Sequence, residues 1–370
     1  MTAVFSPGST VAAMLEFEAA LALALVDAGI APAEEGEEVA AACRAGIADS
    51  EAVLASTWEK GTPVIELTKS VSAGIRDENA RKWFHFGATS QDAIDTGMMI
   101  QAGRALGLIE TRLTSLGRLL RDLTIEYRDQ PQMGRTFFQE ARVTTFGFRT
   151  AIWLQAVIGH VEELRRQRSS LQIQLGGPVG TLSAYGDKGR DVLSSVAERL
   201  GMAEPTIAWH TNRTPVTALA QAVERTAFTM GKIGSDIAAL ASSGIGEVTV
   251  RPGGSSSMPE KRNPLDAIRA VAAAQACAGA AAMLSSGWGQ ELDRGIGGWH
   301  VEWIALPLVF QTSGAAVAAI DTCIQSLEVD REKMSANAGP DIPDLSSAQI
   351  DGVLTDYDRV IGQPAAPRGE

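Results

Sequence analysis

Gly253-Gly254-Ser255-Ser256-Ser257-Met258-Pro259-Glu260-Lys261-Arg262-Asn263-Pro264 is the stretch whose reading decides the fold. Two glycines loosen the backbone, and three hydroxyls follow in a row. Lys261 and Arg262 add positive charge. Asn263 fits a helix N-cap and Pro264 the first helical position. Behind them Leu265, Ile268 and Val271 recur at helical spacing. The stretch therefore reads as a polar loop that ends at the positive end of a helix, a place suited to holding an anion.

Outward from this loop the chain reads as helix after helix. Ser9 or Thr10 is placed to cap a first helix through Met14, Leu15, Leu21 and Leu25. A second is expected from about Glu37 to Trp58, broken by Gly61-Thr62-Pro63, and a short one over Val64–Ser72. The block Gly74–His85 is polar and reads as loop. Leu106, Ile109, Leu113, Leu116, Leu120 and Leu123 place a long helix from Asp92 to about Asp129, and others are expected over about Thr144–Gln174, Asp187–Leu200 and Val216–Ser243. Gly176–Thr181 is a turn. Alternation of the strand type is scarce, so the fold class is all-α, a bundle of long helices.

Composition excludes several classes. The chain has 370 residues, 45% hydrophobic, with a net charge of −12. That balance argues against a nucleic-acid binder. Cys43, Cys277 and Cys323 are far apart and odd in number, which excludes a disulfide framework and favours a reducing cytoplasm. His85, His160, His210 and His300 show no metal-ligand spacing, so no metal is expected. Glu16, Glu18 and Asp27 break the apolar N-terminal run, so no signal peptide is expected. Ala270–Leu284 is uncharged but too short to span a bilayer, so no membrane is expected either.

The loop resembles the signature of the fumarase/aspartase superfamily, Gly-Ser-Ser-x-Met-Pro-x-Lys-x-Asn-Pro, and Gly254–Pro264 fits every fixed position. Further segments resemble that superfamily. His85-Phe86-Gly87-Ala88-Thr89-Ser90-Gln91-Asp92 looks like its second motif, in the form with Gln found in the carboxymuconate cycloisomerase branch. Read without the family, Thr89 or Ser90 simply caps a helix whose first turn carries Asp92 and Asp95. Gly134-Arg135-Thr136-Phe137-Phe138-Gln139 matches a third motif, with Phe137 where fumarases keep a histidine and Val143 in place of a proline. Gly176–Thr181 resembles an element bordering the active site. Trp209-His210-Thr211-Asn212-Arg213 resembles a cycloisomerase pattern whose next residue, an aspartate, is Thr214 here. The segment from Gln290 to Trp303 resembles another, and there Arg294 either holds a carboxylate or makes an inter-helix salt bridge.

The resemblance implies an enzyme that needs neither metal nor organic cofactor and acts on a small tricarboxylate. It implies Ser255 as the proton-transfer residue, with Lys261 and Asn263 holding a carboxylate and its developing charge. His85, Thr89, Ser90, Gln91, Arg135, Thr136, Gln139, His210, Arg213 and Arg294 are carried over as substrate-binding residues. It implies domains over 1–91, 92–328 and a short segment 329–370, where relatives carry a longer helical domain and where Pro340, Pro343, Pro364 and Pro367 interrupt the chain. It also implies a homotetramer with active sites shared between chains. The activity implied is closure of a carboxymuconate to its lactone in aromatic catabolism. The alternatives are another lyase of adenylosuccinate lyase type, a cycloisomerase for a sulfo-substituted muconate, and a catalytically silent structural relative.

Overall fold

The computed structural model describes residues 1–258, 260–341 and 347–362. Pro343, Pro364 and Pro367, expected to interrupt the C-terminal segment, lie outside them. Helices make up most of the described chain, in agreement with the all-α expectation. The residues group into two compact units, 1–107 with 166–219 and 283–307, and 108–165 with 220–282 and 308–370.

The first unit opens with α1, Pro7–Asp27. Its cap is Ser6 rather than Ser9 or Thr10, because Pro7 takes the first helical position and leaves the Ser6 hydroxyl to accept from the Ser9 N–H. The expected helix over Glu37–Trp58 is three pieces: α2 Ala33–Ala45, α3 Ser50–Ala55 and α4 Thr57–Lys60. Gly46, at φ 76°, ends the first piece, and Asp49 starts the second by accepting from the Ala52 N–H. α5 is Val64–Gly74. The block expected as loop holds one further turn, α6 Glu78–Arg81, capped by Asp77. α1 packs against α2 and, by Phe17, Leu21 and Leu25, forms one apolar core with Val39, Leu67, Ile173, Val192 and Val196.

α7 is Ser90–Glu126, and its Leu113, Leu116 and Leu120 are buried within the second unit. There follows an antiparallel hairpin that the sequence reading lacked, β1 Pro131–Thr136 and β2 Gln139–Thr145. Phe137 and Phe138 make its turn at φ 52° and 62°, the left-handed values a two-residue type I′ turn requires. At Gly134 the ladder bulges, and a Cβ there would lie 2.6 Å from the Arg142 carbonyl oxygen. Helices α8 Phe146–Ser169, α9 Gly189–Leu200 and α10 Thr214–Leu240 begin and end within a few residues of expectation.

After β3, Val248–Thr249, come β4 Pro252–Gly253 and β5 Asn263–Pro264. Here the expected cap is corrected. Asn263 and Pro264 pair with Gly253 and Pro252 and pinch the loop shut, and helix α11, Leu265–Ser286, starts only after them. The Asn263 amide nitrogen donates back to the Gly254 carbonyl at 3.4 Å, so its side chain serves the loop rather than the helix end. α12 is Gly298–Gln325, β6 Glu328–Val329 pairs with β3, and α13 Arg331–Ala338 and α14 Ser347–Tyr357 follow.

The expectation that the alanine-rich segment is too short to span a bilayer is also corrected. α11 has 22 residues, which at a rise of ~1.5 Å each is about 33 Å. By length and composition α1, α11 and α12 all suffice to cross a membrane.

Candidate active site

In the first unit the candidate residues gather around one carboxylate. Asp92 lies in the first turn of α7 and is fully buried. Its Oδ2 accepts from the backbone N–H of Thr89 and of Gly177, each at 2.9 Å, and its Oδ1 accepts from the Gly176 N–H at 3.1 Å. His210 adds Nε2 at 2.8 Å from Oδ1, and the Gln174 amide nitrogen lies 3.5 Å from the same oxygen. A carboxylate bound by backbone donors only accepts, so Nε2 carries the proton. Gly177 must be glycine, since φ is 74° and a Cβ would lie 2.7 Å from the Gly87 carbonyl oxygen. Asp92 thus ties the start of α7 to the Gly176–Thr181 turn and to the Trp209–Arg213 segment, a role beyond that of an acid complementing a helix dipole.

Around this anchor the carried-over residues divide by exposure. Gln91 is fully buried and donates to the His210 carbonyl at 2.8 Å, and His210 is itself buried. Thr89 and Ser90 are half-buried at the helix start. Arg294 donates to the Thr89 hydroxyl at 3.0 Å and to the Pro178 carbonyl at 3.2 Å. Among the described residues it has no carboxylate partner, so the inter-helix salt bridge is not formed. Arg294 also stands over the Trp299 ring, 5.9 Å from its centre.

Arg213 departs from its expected role. Only 1% of its side chain is exposed. It forks onto Asp95 at 2.7 and 3.0 Å and onto Glu302 at 3.0 and 2.5 Å. The remaining donor capacity faces the Trp209 and His210 carbonyls at 3.4 Å. No N–H is left for a substrate, so the residue is a buried brace. One guanidinium is shared by two buried carboxylates, which Trp299 Nε1 and Gln290 Nε2 help to satisfy. Burial pulls the Arg213 pKa down, but the charge of Asp95 and the bonds to Glu302 outweigh this and raise it. Burial raises the Glu302 carboxyl, and its bonds to Arg213 recover only part of that.

His85 sits at φ 57°, a left-handed backbone unusual outside glycine, with Nδ1 2.6 Å from Oε1 of Glu18. Burial pushes its pKa down, but the charge and hydrogen bond of Glu18 and the charge of Asp92 together raise it.

The second unit holds the other candidates. Arg135, on β1, donates to the buried carboxylate of Glu247 at 2.7 Å. Glu247 also accepts from Gln132 at 3.0 Å and from Asn337 at 2.9 Å, so it ties the hairpin to α13. Thr136 and Gln139 are exposed on either side of the hairpin turn, where Phe137 is 97% exposed. In the signature loop the Ser255 hydroxyl accepts from the Met258 N–H at 3.1 Å. Lys261 is exposed, and its ammonium has no partner among the described residues. A cavity of 470 Å³ borders the loop at Arg262 and Asn263, with Arg251 and Glu328 on its wall, and Ser255 and Lys261 lie outside it. Among the described residues no cluster of His, Cys, Asp or Glu fits a metal ion.

A family profile described as Lyase matches residues 1–277. The chain belongs to this lyase family. At the level of whole chains, the lyase is 39% identical to a 3-carboxy-cis,cis-muconate cycloisomerase from Pseudomonas aeruginosa over 347 residues, 92% of this chain and 75% of that protein. Its fold matches the solved 3-carboxy-cis,cis-muconate lactonizing enzyme from Pseudomonas putida with TM-score 0.86 at 34% identity, covering 97% of this chain and 81% of that one. It also matches a fumarate lyase from Mesorhizobium sp. BNC1 with TM-score 0.84 at 28% identity, over 97% and 84% of the two chains.

Sequence reasoning missed Glu18, Asp95, Glu247 and Glu302, the carboxylates that hold the basic residues. Glu18 had a visible mark, a lone acid in the apolar run Phe17–Leu25.

Proposed function

We propose that the lyase closes 3-carboxy-cis,cis-muconate to its lactone, one carboxylate adding across a double bond while a proton is delivered to the neighbouring carbon. The observation that carries this reading is Phe137. It places an apolar ring, at the tip of the hairpin, where fumarases hold a second acid–base group. An oxygen or nitrogen leaving group calls for such a group. A carboxylate nucleophile has an ordinary pKa of about 4 and is charged at neutral pH, so lactonisation needs a single proton transfer. Ser255 makes that transfer. Lys261, Asn263 and the loop amides hold the charge that builds on the carboxylate next to the protonated carbon. His85, Thr89, Ser90 and Arg294 receive the other carboxylates, with Gln91 and His210 shaping the floor beneath them. Thr136, Gln139 and Arg135 line the hairpin side.

The enzyme is read as cytoplasmic, free of metal and organic cofactor, with domains over 1–91, 92–328 and 329–370. Loss of ultraviolet absorbance of the purified diene tests the function. Turnover of the carboxylated diene supports it. Turnover of the sulfonated diene alone, or of neither, overturns it.

We read the assembly as a homotetramer in which each active site draws Thr89 and Ser90, Arg135, and Ser255 from different chains. The support is that these groups are carried by separate elements, with Thr89 and Ser90 in one unit and Arg135 and Ser255 in the other. Two inactive variants, Thr89→Ala with Ser90→Ala in one and Ser255→Ala in the other, are then expected to regain activity when mixed and reassembled. Mass measurement establishes that subunits exchange. Full exchange with no return of activity would show that each chain holds its own site.

A further inference from the structure

Glu18 is a carboxylate in the wrong place for an apolar helix. It is 1% exposed on α1, within the core that Phe17 and Leu21 build. A buried carboxylate without a cationic partner is strongly disfavoured, because it loses its hydration without compensation. The partner is His85, whose Nδ1 lies 2.6 Å from Oε1, while Oε2 has no hydrogen-bond partner among the described residues. The His85 side chain is 18% exposed. Its Nε2 also has no partner among the described residues. The residue holds a left-handed backbone at φ 57°, just before the Thr89–Ser90 helix start. A non-glycine residue is kept in that region when its surroundings fix it, and such residues gather at functional sites.

We propose that Glu18 is a positioning residue that holds His85 as an imidazolium, leaving its Nε2–H as a charged donor for a carboxylate of the substrate. This rests on the cycloisomerase reading for the identity of the ligand, but not for the state of the dyad. A trianionic substrate entering a chain of net charge −12 needs local cations. Arg213 is consumed by Asp95 and Glu302, so among the described residues Arg294 is the cation bonded to Thr89, and His85 stands four residues before it. An imidazolium would serve only if it stayed charged at neutral pH, and Glu18 supplies that condition.

Among the described residues, the charges that act on His85 favour its cation. Glu18 on α1 and Asp92 on α7 favour its cation and outweigh its burial. Cys43 on α2 and Tyr185, in the turn before α9, are held neutral, since burial and these same carboxylates push their pKa values up. A raised histidine contributes stability that is fully present below its unfolded pKa of about 6.5 and is lost as pH rises through the folded value.

The test uses the 370-residue chain with labelled histidine ring carbons, the His85 resonance being assigned by its loss in His85→Gln. In the wild type, between pH 6 and pH 8, it should titrate later than an ordinary histidine, above about 6.5. In Glu18→Gln it should titrate at or below about 6.5. With the diene as probe, wild-type KM should stay flat to a higher pH than that of Glu18→Gln. In Glu18→Gln, KM should climb about tenfold per pH unit above the lowered pKa, as the competent fraction falls, with kcat much less changed. Glu18→Asp, which keeps the charge, should restore most of the flat profile. A wild-type His85 that titrates at or below about 6.5 overturns the proposal without any variant. A flat KM in a folded Glu18→Gln enzyme with neutral His85 overturns the role in binding. The titration needs no substrate, so if no diene is turned over the function falls while the dyad is still decided.

Discussion

Ser255→Ala is expected to lower turnover of the diene by about 10²–10⁴, the usual contribution of a general acid or base. The signature loop is pinched at its base by the pairing of Gly253 with Asn263, so Ser255 sits on a short closed arch rather than on a free strand. Its hydroxyl oxygen accepts from the Met258 N–H at 3.1 Å. A donor aimed at this oxygen stabilises the charge left on it when the proton departs. Among the described residues no acceptor holds the hydroxyl hydrogen. Lys261 stands in the same arch without a partner among the described residues, available to a substrate carboxylate. The variant removes one oxygen from a half-buried position, so folding and assembly should be unaffected, and circular dichroism and mass measurement check this. Near-normal turnover in an intact assembly would remove Ser255 from the mechanism.

Arg213→Met is expected to destabilise the protein by about 3–5 kcal/mol, the cost of stripping one partner from a buried ion-pair network. Asp95 and Glu302 would be left facing each other in the core, both essentially inaccessible to water. Arg213→Lys should recover only part of the loss, because the three donors of an ammonium cannot reproduce the four bonds that the planar guanidinium makes to Asp95 and Glu302. The measurement is the shift of the denaturant or thermal midpoint, set beside KM at a temperature where both proteins are folded. A substrate-binding arginine would behave oppositely, with stability near wild type and KM strongly raised. That second outcome would return Arg213 to the site and remove its role as a brace.

The sequence by itself determined the family, the helical class and the position of the signature loop. Helical periodicity along α7 and α10 is written in each helix's own residues, and the Gly254–Pro264 order is a local pattern. Local signals misplaced what depends on neighbours far along the chain. The hairpin at Pro131–Thr145 escaped because its turn residues are two phenylalanines rather than the Asn or Gly that mark a type I′ turn. Asn263 looked like a cap because Pro follows it, yet it pairs with Gly253 across the loop.

The carboxylates were legible only in part. Asp92 and Asp95 both read as acids at a helix start. Only the tertiary structure sends one to the Gly176–Gly177 amides and His210, and the other to Arg213, each more than 80 residues away. Glu18 and His85 are 67 positions apart, and nothing in the spacing pairs them. A buried charge has meaning only through what neutralises it, and a partner contributed by a distant segment exists only once the chain has folded.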